Sequence, residues 1–418
     1  MKKLVTFTAL ATILAVSNAN AAGFQLREQS AAAQGNAFAG ATAGAENPSY
    51  AFFNVAGLTR QKGLQVNVGG TYIAPQAEAK NISGTGLGET GEQHNIVHAA
   101  IAPNGTVSYE LNDQTVLGVS VNSPFGMITK YNSNWMGSAH GNTSRVHSIT
   151  ITPMAAYKLN NHLSLGAGLA IERVRARLTS KAGGAFDTAV HGDTTDIGYQ
   201  LGAMYEFNDD TRFGVDYRSE MKHKIKGKME SDMPGALHAF MNQDINCDLD
   251  LPATLSFGAY HKLNDKWELM AEYQRTYWSS FDRLDFVGED TTHPLTGAHL
   301  ISRVYENWRD TNFYALGASY QIDNQWKARF GIAFDQAAAK RYERTPRIPD
   351  SDRIWYSFGL GYKYNENLSF DMAYTYIKAK NAVVDTLNTR NHSATAPDVY
   401  AEYKNSVKMW GLSLNYKF

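Results

Sequence analysis

An all-β fold is predicted: a 14-stranded antiparallel transmembrane β-barrel with an N-terminal hatch segment in its lumen. Three features of the 418 residues carry that expectation. The chain opens with an export signal, it has evenly spaced polar turns, and its strands alternate apolar and polar residues.

The opening "MKKLVTFTALATILAVSNANAAGF" has Lys2 and Lys3, then an apolar run from Leu4 to Val16, then Ala19-Asn20-Ala21. Such a run is too short to span a membrane as a helix and has the form of a secretory signal peptide. Residues 1–21 are read as that signal, so the mature chain starts at Ala22. After it, no apolar run reaches the ~18 residues of a membrane helix. Mean hydropathy is −0.37 and net charge −1, which gives no basis for nucleic-acid binding. The single cysteine, Cys247, excludes an intrachain disulfide framework.

The next segment, about residues 22–61, is rich in Gly and Ala and includes "NVAGLTR" at Asn54–Arg60. It has no strand partner in the turn count. Its small residues suit a compact segment packed inside a barrel, where backbones approach closely. Residues 62–418 then form the barrel. Tight turns recur at Asn112-Asp113, Asn160-Asn161, Asn208-Asp209-Asp210, Asn264-Asp265, Asp323-Asn324 and Asn365-Glu366-Asn367. Asn and Asp tolerate the backbone of short hairpins. Each interval holds two long strands and one longer loop. Six hairpins plus a strand at each end give fourteen strands, an even number as outer-membrane barrels have.

The strand faces agree. Trp410, Leu412, Leu414, Tyr416 and Phe418 alternate with Met409, Gly411, Ser413, Asn415 and Lys417. Trp326, Ala328, Phe330, Ile332 and Phe334 alternate with Lys327, Arg329 and Asp335. A period of two puts each set on its own side of the sheet. The inward parity carries Met204, Tyr260, Met270, Trp278, Phe313 and Trp355 beside Glu206, Glu268 and Glu272. That mixture reads either as packing against whatever fills the barrel or as a pocket for an apolar ligand with a polar handle.

Other signals are weaker. "GLGETG" at Gly86–Gly91 fits a nucleotide fingerprint but sits in a polar loop with no following helix. The 12 histidines, among them His140 and His147, show no metal-ligand spacing. No catalytic residues, metal or cofactor are expected. Arg173, Arg175 and Arg177 lie on one strand face near the outer rim, where they either meet lipopolysaccharide and outer-membrane lipid or attract an acidic ligand. Met233, Leu237, Phe240 and Met241 have helical spacing and would form one apolar face in a loop.

At these residues the sequence resembles the FadL family, outer-membrane transporters of long-chain fatty acids and other hydrophobic compounds. The resemblance rests on "AGFQL", "NVAGL", "NSPFG", "YKLNNHLSLGAGL", "LDLPATLSFGAYHKL", "GIAFD", "RIPDSDRIW" and "WGLSLNYKF", matched in order over most of residues 22–418. It implies a hatch whose motif is Asn54, Val55 and Ala56, with Val55 where the family usually has proline. It also implies a kinked third strand opening a hole in the wall, mapped here to Ala100, Ser123, Pro124 and Gly126. Ligand would bind near the outer loops, pass to a pocket beside the N-terminus and leave sideways into the bilayer.

The candidate ligand-binding residues are then Phe24, Arg175, Lys181, Arg303, Phe313, Arg344 and Trp355. Arg303 lies near a ligand-binding lysine of the family, and Arg344 matches a family arginine. A terminal apolar Phe418 looks like the signal read by the barrel-assembly machinery. A monomer in the bacterial outer membrane is expected. An aromatic or alkane uptake channel of the same fold, and a surface adhesin or structural barrel, stand as alternatives.

Overall fold

The computed structural model describes residues 23–86, 88–392 and 396–418. The signal-peptide reading of residues 1–21 and the start at Ala22 fall outside them.

Fourteen antiparallel strands form one closed barrel. They are β1 (Leu64–Gly84), β2 (Ala100–Asn112), β3 (Thr115–Asn122 and Gly126–Lys130), β4 (Thr143–Lys158), β5 (Leu163–Ala182), β6 (Phe186–Glu206) and β7 (Thr211–Arg218 and Met221–Ser231). There follow β8 (Gln243–Leu251 and Thr254–Lys262), β9 (Trp267–Thr276 and Arg283–Gly288), β10 (Leu300–Tyr305 and Thr311–Gln321), β11 (Trp326–Asp335), β12 (Arg353–Lys363), β13 (Leu368–Ala379 and Ala382–Asp385) and β14 (Val399–Lys417). Each strand pairs with the next, and β14 pairs with β1 from Gln65↔Lys417 to Gly84↔Val399. Closure removes the open edge that lipid could not hydrate.

The six tight turns share one device. Asn160 Oδ1 accepts hydrogen bonds from the His162 and Leu163 nitrogens at 2.8 and 2.9 Å. Asn112, Asn208, Asn264, Asp323 and Asn365 repeat that pattern. A short side-chain acceptor that caps two backbone donors is what makes Asn and Asp turn residues.

The outer face is apolar. Phe330, Phe358, Tyr374, Trp410 and Tyr72 are cross-strand neighbours in register on β11, β12, β13, β14 and β1. Their rings touch at centroid distances of 5.4 Å (Phe330–Phe358), 5.6 Å (Tyr374–Trp410) and 5.9 Å (Tyr72–Trp410). Nearer the tight turns, Trp267–Tyr320 and Trp326–Tyr362 make a second set. Exposed aromatic rows on a barrel suit the lipid boundary.

Gly23–Gln61 contains one short helix, α1 (Ala31–Gly35), and 3-10 turns at Ala41–Ala43, Pro48–Phe52 and Val55–Arg60. Ser30 caps α1, its hydroxyl accepting from the Ala33 nitrogen. Val55 occupies the first position of the last turn, where a proline is equally at home because that N–H has no helical partner. Asn54 explains the rest of the opening motif. Its Oδ1 caps the turn at Ala56 N, and its Nδ2 donates to Thr42 O and to Ala203 O on β6.

This segment touches strands all round the ring, and glycines make room for it. A β-carbon at Gly258 on β8 would stand 2.6 Å from the Ala43 nitrogen, and one at Gly359 on β12 would stand 2.7 Å from the Gly35 Cα. Gly331 on β11 and Gly202 on β6 are covered as closely by Asn36 and Asn54.

Candidate functional site

The outer half of the lumen holds a tight apolar cavity of about 60 Å³. It is therefore a narrow slot that a chain must spread. Its wall comes from β4 to β9 through Val146, Ala176, Leu178, Val190, Ile225, Ile245, Leu249 and Phe286. Those inward positions are apolar because no water reaches them to repay burial of a polar group.

Phe24 closes the slot from the N-terminal side. Its ring lies 5.2 Å from Trp278, 5.7 Å from Phe281, 5.8 Å from Phe125 and 6.0 Å from Trp308. The polar lining is confined to His191, Glu306 and Arg347. Arg347 Nη1 donates to Ser144 Oγ at 3.0 Å and to the Thr143 and Thr179 carbonyls at 3.2 and 3.3 Å, which fixes the guanidinium at the wall. Burial lowers its pKa to about 10, opposed by the nearby Glu306 carboxylate, so it stays cationic at neutral pH. Glu306 accepts from the Trp308 indole N–H at 3.0 Å.

Beside this slot, β3 leaves the wall. Its pairing with β2 ends at Gly105↔Val121, and its outer half, Gly126–Lys130, pairs only with β4. On the other side Ala100 and Ile101 pair only with β1. The break falls at Ser123-Pro124-Phe125, where proline has no donor for a ladder. The freed backbone pairs instead with the N-terminus: Leu26 N donates to Pro124 O at 2.7 Å and Gly126 N to Phe24 O at 2.9 Å. Ser123 N and the Ser123 carbonyl both bond the Gln29 side chain. A bridge between Val97 and Thr129 bounds the gap on its outer side. Small residues flank it, Ala100 and Ala102 on β2 and Gly126 on β3.

Of the seven candidate ligand residues, Phe24 alone lines the slot. Phe313 and Trp355 are fully buried against each other and against Phe38 of the N-terminal segment, with the Arg27 guanidinium 3.8 Å above the Phe313 ring. Arg175 points outward with Arg173 and Arg177, all three exposed, because they share the outward parity of β5. Lys181 is bonded to Asp187 at 3.1 Å at the end of that hairpin. Arg303 holds Asp285 through two bonds of 2.6 and 2.7 Å. Arg344 donates to the Asp350 carbonyl at 2.6 Å and faces the outer loops. In the loop at 229–246 only Phe240 of the apolar set is buried, packed on His293 at 5.2 Å. Arg347 and Glu306 were missed, although Arg347 begins the matched stretch "RIPDSDRIW". Strand parity carries no information in a loop. Among the described residues no group of three or more His, Cys, Asp or Glu could hold a metal ion.

A closed barrel with an aromatic outer face and an apolar internal slot is an outer-membrane transport protein in its design. The sequence comparison agrees: residues 12–418 match the family model "Outer membrane protein transport protein (OMPP1/FadL/TodX)", and the chain belongs to that family. It is 28% identical to the Long-chain fatty acid transport protein of Escherichia coli K12, over 92% of this chain and 94% of that one. It is 29% identical to Outer membrane protein P1 of Haemophilus influenzae over the full length of both. A solved Pseudomonas aeruginosa FadL homologue superposes with a TM-score of 0.85 at 24% identity, covering 95% of this chain and all of the other. The family is one of transporters in the outer membrane, not of enzymes.

Proposed function

We propose that the protein carries long-chain fatty acids across the outer membrane by passive transfer through the β4–β9 slot and the β2–β3 gap. The observation that supports this most is the arrangement around Phe24. One residue closes the apolar slot with its ring and holds the kinked strand with its carbonyl. An acyl chain that spreads the slot displaces Phe24, and displacing Phe24 loosens the strand that borders the gap. Loading the slot and opening the wall are then one event.

The energetics favour a long chain. Burial contributes roughly 0.8 kcal/mol per methylene, so a sixteen-carbon tail gains on the order of 10 kcal/mol before ordering costs. Arg347 is the one fixed cation of the slot and orients the carboxylate by charge-assisted hydrogen bonds. Residues 22–61 act as the hatch. The described part, residues 23–61, fills the bore below the slot, so the ligand leaves sideways rather than downward. The relatives named for fatty-acid transport support the same reading.

The test compares palmitate with hexadecane. Purified protein should bind both, and Arg347→Ala should weaken palmitate alone. Equal weakening of both would transfer the reading to hydrocarbons.

A further inference from the structure

The N-terminal segment is not held evenly. From β5 round to β13 its polar groups bond the wall: Thr59 to Ser164, Asn54 to Ala203 O, Ala43 O to Arg212, Thr42 to Glu272, Asn36 to Ala318 O and Asn47 to Asp371. Glu46 adds an ion pair with Arg329 at 2.7 Å. Among the described residues no side-chain bond from Gly23–Gln61 reaches β14 or β2, and on β1 only Thr71 makes one, its hydroxyl donating to the Gln34 amide oxygen.

The neglected wall is polar. Both amide atoms of Asn67 on β1 and of Asn104 on β2, the hydroxyls of Ser108 and Ser413, and Asn415 Oδ1 are buried without a hydrogen-bond partner. They face one another in register, Asn67↔Asn415, Gly69↔Ser413 and Gly69↔Asn104. A buried amide without a partner costs free energy that an apolar side chain would avoid. Five such residues on three adjacent strands mark a surface suited to water rather than to a dry seal.

The patch is continuous with wet space below. A vestibule of about 800 Å³, open to solvent at the tight-turn end, is lined by Gln65, Asn415 and Lys417 from these strands. Above it, on the same strands, a small cavity of about 30 Å³ is lined by Gln76, Asn405 and Ser406, with Asn405 Oδ1 again unpartnered. Between patch and hollow lies a polar crossing, in which Gln34 bonds Thr71 on β1 at 2.9 Å and Thr375 on β13 at 3.3 Å with its amide pressed over Gly411 of β14, and then an apolar layer in which Ile73, Ala102, Val407 and Met409 cluster with Leu26 and Ala33.

We propose that this wall is a second path, for water and inorganic ions, with Gln34 as its gate. It opens when the N-terminal segment parts from β14, β1 and β2 and stays bonded to the other strands. The path is opposite the apolar slot, so its traffic does not compete with ligand. The inference rests on the reading that residues 22–61 close the rest of the bore.

The experiment is single-channel recording of the full-length protein in planar bilayers with potassium chloride. Wild type should give small, brief openings. Gln34→Ala should make them several-fold more frequent. Adding Asn67→Leu and Asn104→Leu to Gln34→Ala should remove them. Thr59→Val, on the bonded side, should change nothing. Heat-modifiable gel mobility checks folding, and palmitate binding should be unaltered in every variant. A closed wild type with an equally closed Gln34→Ala overturns the second path and leaves the hatch intact. Openings that survive the two leucines overturn it as well. A wild type conducting as a wide, steady pore overturns the hatch reading itself.

Discussion

The β4–β9 wall and the β14–β2 wall enclose the same bore but solve opposite problems. The first presents Val146, Leu178, Val190, Ile225 and Leu249 and brings one cation, Arg347, to its edge. The second presents Asn67, Asn104, Ser413 and Asn415 and brings no fitted partner. Both are inward faces of strands with the same period of two. The difference shows that the inner face of a barrel is specified strand by strand, by what stands against it, and not by distance from solvent alone. An apolar wall can wait empty, since its side chains pack on each other. A polar wall cannot be both dry and satisfied without partners.

The largest effect expected from breaking this contrast is removal of the segment between the walls. Deleting residues 23–61 should convert a nearly closed barrel into a steadily conducting one in planar bilayers. An unchanged conductance would show that the outer loops, not the hatch, make the seal. Next is the exit beside the apolar wall. Ala100→Glu with Ser123→Arg should abolish uptake of radiolabelled palmitate by cells while purified protein still binds it. Uptake that persists in the folded double mutant would exclude the β2–β3 gap as the route.

A finer division separates cations on the apolar side. Arg347→Ala should weaken palmitate by roughly 10–100-fold in equilibrium binding, the range of a hydrogen bond to a charged group, with hexadecane within about 2-fold. Arg303→Ala is the smallest change. It is already paired with Asp285 at the exposed rim, where solvent screens the charge, so palmitate affinity should stay within experimental error. A large loss at Arg303 and none at Arg347 would move the carboxylate site outward to the β9–β10 rim.

The barrel was legible because its rules are local. Asn160 or Asp323 caps its own turn, and Trp410 or Leu412 faces lipid by counting in twos. The slot was not, for two physical reasons. Arg347 and Glu306 lie outside the regular strands, where no period assigns a side. Arg175 and Arg303 looked apt by charge, yet parity turns the first outward and Asp285 engages the second. Phe313 and Trp355 were placed inward from parity and are inward, but what covers them is the N-terminal segment, which obeys no strand rule. The β3 break was marked in sequence by Pro124, because a missing donor is visible in any context.

The join between that segment and the wall has a kinetic consequence. Only Gln61, Lys62 and Gly63 separate the last 3-10 turn from β1. Gly63 has φ +72°, and Lys62 is anchored to Glu110 at 2.7 Å. A segment on so short a leash cannot diffuse away. Its local concentration at its own seat stays in the millimolar range or above, as for any closely tethered pair. Every parting from the wall is therefore followed by first-order return, at a rate that does not depend on how much protein the membrane holds. Each copy of this barrel would then be open for the same fraction of the time, whatever the number of copies in the membrane.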